Sequence, residues 1–123
     1  MFKKAFTLIE LLVVISIIGI LIAVGAVSYQ KSVKLSRDSK RKSDLEQVRQ
    51  ALETYRSEEG VYPATASWST DLTSGDYIST IPTDPKSGTY TYTKGAGATY
   101  SLCAALELGD PPGGACNYTV HEP

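Results

Sequence analysis

The feature that most constrains this chain is a run of twenty residues without a charged side chain, from Leu11 to Gln30. At a helical rise of about 1.5 Å per residue, such a run is about 30 Å long, which matches the hydrocarbon core of a bilayer. The run is apolar on every side of a helix, and a helix of that kind lies in lipid or inside protein. No second run of this length occurs in the 123 residues. The sequence therefore predicts a single membrane-spanning helix.

One acidic residue, Glu10, lies directly before this run, between Ile9 and Leu11. An ionised side chain costs about 2.5–3.5 kcal/mol at the centre of a membrane helix and less near its end. Two interpretations are open. Glu10 lies near the lipid headgroups or is protonated, or it awaits a cationic partner. An acid at such a position is a candidate functional residue.

The residues around Glu10 resemble a known signal. A short basic segment, Lys3-Lys4-Ala5, precedes Phe6-Thr7-Leu8-Ile9-Glu10 and the apolar run. This order resembles the class III signal peptide of type IV pilins and type II secretion pseudopilins. The resemblance implies that a membrane peptidase cleaves between Ala5 and Phe6 and then methylates the new amino group of Phe6. The family usually has Gly before the cleavage site, where this chain has Ala5.

Two other interpretations of the N-terminus are open: a secretory signal peptide with a loose cleavage site at residues 23–25, and a plain membrane anchor. The apolar run is longer than the 7–15 residues usual in a secretory signal, and Glu10 interrupts its start. The pilin-like interpretation is therefore preferred.

The resemblance also implies an assembly mechanism. Many copies would form a helical filament, and Glu10 of one subunit would pair with the amine of Phe6 on a neighbouring subunit. The implied partners are a prepilin peptidase, an assembly platform protein and an ATPase motor. The motor must be a separate protein, because this chain lacks a Gly-x-x-x-x-Gly-Lys motif. The alternative function is a single-pass anchored binding module outside the cytoplasm that does not polymerise.

Charge is distributed unevenly along the chain. A basic cluster follows the apolar run and is interrupted only by Asp38: Lys31, Lys34, Arg37, Lys40, Arg41 and Lys42. From Ser43 onward, four basic residues against eleven acids give a charge of −7. The basic cluster is interpreted as a solvated stretch beside lipid headgroups. A nucleic-acid surface is disfavoured because no aromatic residues alternate with the basic ones.

The orientation in the membrane is predicted differently by charge and by resemblance. Seven Lys and Arg residues follow the span, if Arg49 is counted, and two precede it. The rule that basic residues stay in the cytoplasm would place the C-terminal part inside. The resemblance implies the opposite orientation in the inner (cytoplasmic) membrane, with a filament in the periplasm or at the cell surface. The resemblance is followed here.

Four segments are expected: a leader at residues 1–5, a transmembrane or filament-core helix at 6–30, its continuation at 31–57, and a globular head at 58–123. Leu45, Val48, Leu52 and Tyr55 recur at helical spacing and predict a buried face on the continuation. Gly60 and Pro63 are helix stop signals.

The C-terminal part predicts a small sheet. Alternating strand formers indicate strands at 89–93, 99–106 and 117–120. The fold class is therefore α+β, with a long N-terminal helix, half transmembrane and half amphipathic, packed on a three-stranded antiparallel head. The connection before the sheet is expected to contain one short helical turn and to be anchored by apolar side chains: Trp68, Leu72, Tyr77, Ile78 and Ile81.

Cys103 and Cys116 are either two free buried thiols or one disulfide, and an exported head favours the disulfide. His121 is the only histidine. No catalytic constellation or zinc cluster follows from these residues, and no enzyme activity or cofactor is expected. The acids of the loop after the second predicted strand, Glu107 and Asp110, are too few to form a calcium site, because calcium takes six to eight oxygen ligands.

Overall fold

The computed structural model describes residues 5–123. These divide into two compact units, one ending at Val33 and one comprising Lys34–Pro123. Two helices precede three strands, in the order α1 (Leu8–Glu59), α2 (Trp68–Ser74), β1 (Thr91–Lys94), β2 (Tyr100–Ala104) and β3 (Tyr118–His121). The long helix and the antiparallel sheet confirm the predicted α+β class.

Helix α1 begins and ends two residues later than expected. At its C-terminus, Gly60 has a φ of 76° and donates its backbone N–H to the carbonyl of Arg56 at 2.8 Å. Glycine adopts this left-handed conformation without the steric cost that a side chain would add, so the helix stops there. The predicted stop signal at Gly60 is confirmed.

The first unit has no buried side chains among its described residues up to Ser32. Helix α1 includes an 18-residue stretch with a mean hydropathy of 2.9, none of it buried. By length and composition, α1 is the one described helix that could cross a membrane. The largest apolar surface of the chain is thus fully available to lipid or to other subunits.

The second unit contains the hydrophobic core. Leu45, Val48 and Leu52 of α1 are fully buried, which confirms the predicted face. They pack in one cluster with Leu72 of α2 and Leu102 of β2. The rest of the core is rich in tyrosine, with Tyr62, Tyr90, Tyr92 and Tyr100 each at most 6% exposed.

The sheet has the strand order β1-β2-β3, and both pairs are antiparallel. Leu102 on the central strand lies opposite Tyr92 on one side and Val120 on the other. All three predicted strands exist. The first two are shorter than predicted, and the third has the predicted length but lies one residue later. Lys94, expected in a turn, is the last residue of β1, where its ammonium donates to the Tyr62 carbonyl at 2.7 Å.

The connection between α1 and the sheet contains one short helix, α2, as expected. Leu72 is fully buried there, and the other four predicted anchors are partly buried against the core. Cys103 of β2 forms a disulfide with Cys116, which precedes β3. The Asn117 side chain also holds the intervening loop, since its amide donates to the carbonyls of Leu106 and Pro111.

Candidate functional site

The first candidate site is the start of α1, where Thr7 and Glu10 form a reciprocal cap. The Thr7 hydroxyl and backbone N–H donate to Glu10 Oε2 at 2.7 and 2.9 Å. In return, the Glu10 N–H donates to Thr7 Oγ1 at 3.3 Å. This is a capping box, which satisfies backbone donors that the first turn of a helix otherwise leaves free. Helix α1 therefore starts after Thr7.

The sequence analysis missed this role of Glu10. The signal was present, because Thr-x-x-Glu before an apolar run is the pattern of a capping box. Glu10 consequently has a partner within its own helix, in addition to the intersubunit partner that the resemblance implies. The two roles differ in what they require. A cap needs a side-chain acceptor, whereas an ion pair needs the negative charge.

The other residues predicted to function at the N-terminus are described from Ala5 onward. Ala5 and Phe6 precede the helix and are exposed, and the Phe6 side chain is 80% exposed. A peptidase could therefore reach the bond between them. Lys3 and Lys4 of the expected leader lie outside the described residues.

A second cluster, which the sequence analysis did not predict, lies in the head. Three basic and three acidic residues from α1 and two loops form what we call the ionic cluster: Arg37, Asp38, Arg41, Asp84, Lys86 and Glu107. Three positive and three negative charges make it neutral as a whole. It joins residues 37–41 of α1 to two loops that lie 43–70 residues further along the chain.

Arg41 lies at the centre of the ionic cluster and is 2% exposed. Its guanidinium binds Asp84 through two donors, Nε at 2.5 Å and Nη2 at 3.1 Å. Its Nη1 donates to Asp38 at 2.7 Å and reaches Glu107 at 3.3 Å. A buried guanidinium needs several acceptors of this kind, because its charge is otherwise costly to remove from water.

Arg37 and Asp38 attach the loop that contains Glu107. Arg37 donates to both carboxylate oxygens of Glu107, at 2.5 and 2.7 Å. The Asp38 carboxylate accepts the backbone N–H groups of Glu107 and Leu108, both at 2.8 Å. These contacts fix the start of the disulfide-closed loop against α1.

These contacts shift the pKa values of the acids. Hydrogen bonds from Arg37 lower the pKa of Glu107 to about 2, against a smaller opposing effect of burial. Arg41 holds the pKa of Asp84 below its usual value in the same way. Burial raises the pKa of Asp38, but the two backbone N–H donors and Arg41 together outweigh it and leave that pKa lowered. All three acids are therefore ionised at neutral pH.

The ionic cluster corrects the interpretation of the basic stretch after the apolar run. Arg37 and Arg41 were expected to be solvated beside lipid headgroups, and for Arg41 this is wrong, since it is buried. Arg37 is half-buried and bound to Glu107. Asp84 and Glu107 neutralise these arginines, and no pattern of neighbouring residues predicts ion pairs between positions so far apart in the sequence. Lys31 and Lys34 are exposed, as expected.

Among residues 5–123, no group of three or more His, Cys, Asp or Glu side chains is placed to bind a metal ion. The acids of the head that lie closest together are occupied by arginine and by backbone N–H groups instead.

Comparison with known proteins finds a family model and several relatives. The family model described as the prokaryotic N-terminal methylation motif matches residues 1–26. The type IV major fimbrial protein FimA of Dichelobacter nodosus is 46% identical over 52 residues, 42% of this chain and 33% of that protein. This chain has the type IV pilin signal and is homologous to type IV fimbrial proteins. A second relative of this kind, the fimbrial protein EcpC of Eikenella corrodens, is 37% identical over 81 residues, 64% of this chain and 53% of that protein.

The pilin homology extends beyond the signal but not over the whole of these relatives. The chain spans a third to about half of the length of the relatives named above. No solved structure is significantly similar to it. The matched pilin signal includes Ala5, Phe6, Thr7 and Glu10, so the capping box lies inside the methylation motif.

Proposed function

We propose that this chain is a structural subunit of a type IV pilus or of a related pseudopilus filament. The observation that supports this most strongly is the methylation motif at residues 1–26, on a helix whose N-terminal apolar stretch is entirely exposed. Such a helix needs lipid before assembly and neighbouring helices after it. A subunit that moves from the membrane into a filament core meets both needs.

Processing is the first proposed step. A prepilin peptidase cleaves between Ala5 and Phe6, and the new amino group of Phe6 is methylated. Cleavage removes the basic residues Lys3 and Lys4 and places a protonatable amine four residues before Glu10. The exposed bond before helix α1 is compatible with this step.

Assembly is the second proposed step. In an apolar filament core, an unpaired carboxylate would keep a desolvation penalty of several kcal/mol. The Phe6 amine of a neighbouring subunit removes that penalty and sets the axial register of the two helices. The apolar surfaces of residues 11–30 supply most of the cohesion. An uncleaved precursor has its amine five residues further away and should not assemble.

The proposed partners are other copies of this chain, a prepilin peptidase, a platform protein and a separate ATPase motor. The subunit is proposed to reside in the inner membrane with residues 34–123 on the extracytoplasmic side. Nucleic acid is not a proposed partner of the filament.

The test is the substitution Glu10→Gln. A capping box accepts either Glu or Gln at this position, so the variant keeps the cap with Thr7 and loses only the charge. We expect normal cleavage before Phe6 and a loss of filaments. Leader removal is followed by mass spectrometry, and filament yield by sedimentation and electron microscopy.

Two controls separate the charge from other effects. Glu46→Gln removes a partly exposed charge of the head and should leave filament yield unchanged, because the ion pair of Glu46 among the described residues is the local one with Arg49. Thr7→Val removes the hydroxyl of the cap and keeps the Glu10 charge, so it should assemble better than Glu10→Gln. Wild-type filament yield from a normally cleaved Glu10→Gln chain would refute the charge-pair mechanism.

A further inference from the structure

At the end of the head that contains residue 34, the basic side chains are exposed and the acidic side chains are largely buried. Lys34 and Lys42 are exposed, and the Lys86 side chain is 59% exposed. The carboxylates of the same region are turned inward, with side-chain exposures of 6% for Asp38, 10% for Asp84 and 13% for Glu107. The ionic cluster is neutral as a whole, but the part of it that reaches solvent is basic.

Two exposed leucines flank the same carboxylate. The N–H of Leu108 donates to Asp38 at 2.8 Å, and Leu35 precedes Asp38 by three residues, so it is a neighbour on the helix surface. Leu35 is 57% exposed and Leu108 is 43% exposed. Among the described residues from Lys34 onward, Val61 is the third large apolar side chain that is exposed. It follows the other end of α1, roughly 30 Å away at 1.5 Å per residue.

We infer that Lys34, Leu35, Lys42, Lys86 and Leu108 form a basal surface that docks on anionic lipid while the subunit is held in the membrane. The inference rests on the proposed membrane insertion. Lysine side chains are attracted to anionic headgroups, and adjacent leucines enter the boundary between headgroups and acyl chains.

Position along the chain favours lipid as the occupant. Lys34 and Leu35 lie four and five residues after Gln30, the last residue of the uncharged run, so this part of the basal surface follows the predicted span directly along the chain. The loop also has one exposed acid, Asp110, two residues after Leu108, which limits the positive charge on that side. Docking of this kind would hold the head against the membrane until the subunit enters a filament.

The experiment uses the full chain reconstituted in vesicles whose acyl chains carry bromine, a quencher of tryptophan fluorescence. Leu108→Trp reports on the basal surface, and Val61→Trp is its matched control at the opposite end of the head. Trp68, the only natural tryptophan, is partly buried against the core and gives a constant background. We expect the added emission of Leu108→Trp to fall about twofold in phosphatidylglycerol vesicles relative to phosphatidylcholine vesicles. The emission of Val61→Trp should not change.

Charge dependence is tested on the same Leu108→Trp chain. Adding Lys34→Gln and Lys42→Gln should remove most of the difference between the two lipids, and high salt should do the same. Adding Arg49→Gln is the matched control, because Arg49 is paired with Glu46 outside the basal surface. That substitution should leave the quenching unchanged.

Flotation with the vesicles separates the possible failures. A chain that floats but shows equal quenching of Leu108→Trp in both lipids would overturn the docking and leave membrane insertion intact. A chain that does not float would overturn both. If the emission of the tryptophan at residue 108 changed with the amount of protein per vesicle and not with the bromine content of the lipid, the surface would be assigned to contact with a second copy of the chain. A change that appears only with added duplex DNA would assign it to nucleic acid. Either result would overturn the assignment to lipid.

Discussion

The two units of this chain differ in where their side chains find partners. In the first, the polar contacts join residues three or four positions apart, such as Thr7 with Glu10 and Ser16 with the Leu12 carbonyl. In the second, Arg41 binds Asp84 and Arg37 binds Glu107, across 43 and 70 positions. The first unit depends on lipid or other subunits for its burial, whereas the second supplies its own.

The same residue types consequently have different roles in the two units. A leucine in the first unit is exposed and can contribute only to a membrane or a filament, whereas Leu45, Leu52 and Leu102 hold the head together. An acid in the first unit, Glu10, caps its own helix, whereas Asp84 and Glu107 stabilise arginines from a distant part of the chain. Substitutions matched between the units test this contrast.

The largest effect is expected at the centre of the ionic cluster. Arg41→Gln leaves the carboxylates of Asp38 and Asp84 with little exposure and without their cation, and breaking a buried pair of this kind costs about 3–5 kcal/mol. Urea unfolding of the detergent-solubilised chain measures the change in the free energy of unfolding. The control Arg49→Gln breaks an exposed pair, which is worth less than about 1 kcal/mol. Equal effects of the two substitutions would show that the burial of Arg41 has no energetic weight.

The next effect compares one substitution in both units. Leu52→Ala removes a fully buried side chain and is expected to lower the free energy of unfolding of the head by about 2–5 kcal/mol. Leu21→Ala removes a side chain that is 66% exposed and should leave that free energy unchanged. Instead, Leu21→Ala should reduce filament cohesion. If Leu21→Ala destabilised the head as much as Leu52→Ala, the two units would not be energetically separate.

These contrasts show how far local sequence can predict this molecule. The apolar run, the signal around Phe6, the buried face at Leu45 to Leu52 and the stop at Gly60 are patterns of neighbouring residues, and the structure of the described residues has the predicted helix and core. The capping box of Thr7 and Glu10 was also local and could have been recognised. The three strands were recognised, although β1 extends to Lys94, which pairs with Tyr100 of β2.

The ionic cluster could not be predicted in this way. Its arginines look like part of a basic stretch. Asp84 is separated from them by α2, and Glu107 by α2, β1 and β2. The spacing of apolar residues predicts which side chains face inward, but it does not predict which charged side chains form ion pairs. The cluster also bears on the orientation conflict. Four of the seven basic residues counted after the span are paired with acids in the folded head, and two of these four belong to the ionic cluster.

The disulfide should matter less for the structure of the loop that it closes than its position at the two ends of that loop suggests. Replacing Cys103 and Cys116 together by Ser opens a loop of about 14 residues, worth roughly 3 kcal/mol in the chain-entropy model. The loop should nevertheless stay in place, because Asn117 and Asp38 bind its backbone. Hydrogen exchange at the amides of Leu106 and Leu108 tests this. Rapid exchange at both amides in a chain that is otherwise folded would contradict it.

The smallest effect is the dependence of head stability on pH. The pKa of Glu107 is about 2 in the folded chain and about 4.3 in an unfolded one. A lowered pKa means that the stabilisation is complete above the unfolded value and is lost as the pH falls through the folded value. The free energy of unfolding should therefore fall between about pH 4.5 and 2. Glu107→Gln should make this fall shallower, and an unchanged pH profile would contradict the assignment of the shift to Glu107.

The measurement that tests the proposed function most directly is the mass of the N-terminal peptide from mature protein. Digestion with trypsin should release residues 6–31, beginning at Phe6 and carrying one methyl group on the α-amine. That result would support cleavage after Ala5 and the formation of the amine that Glu10 requires. A peptide that retains residues of the basic leader, or a mature chain that begins near Ala26, would contradict the assignment of this chain as a filament subunit.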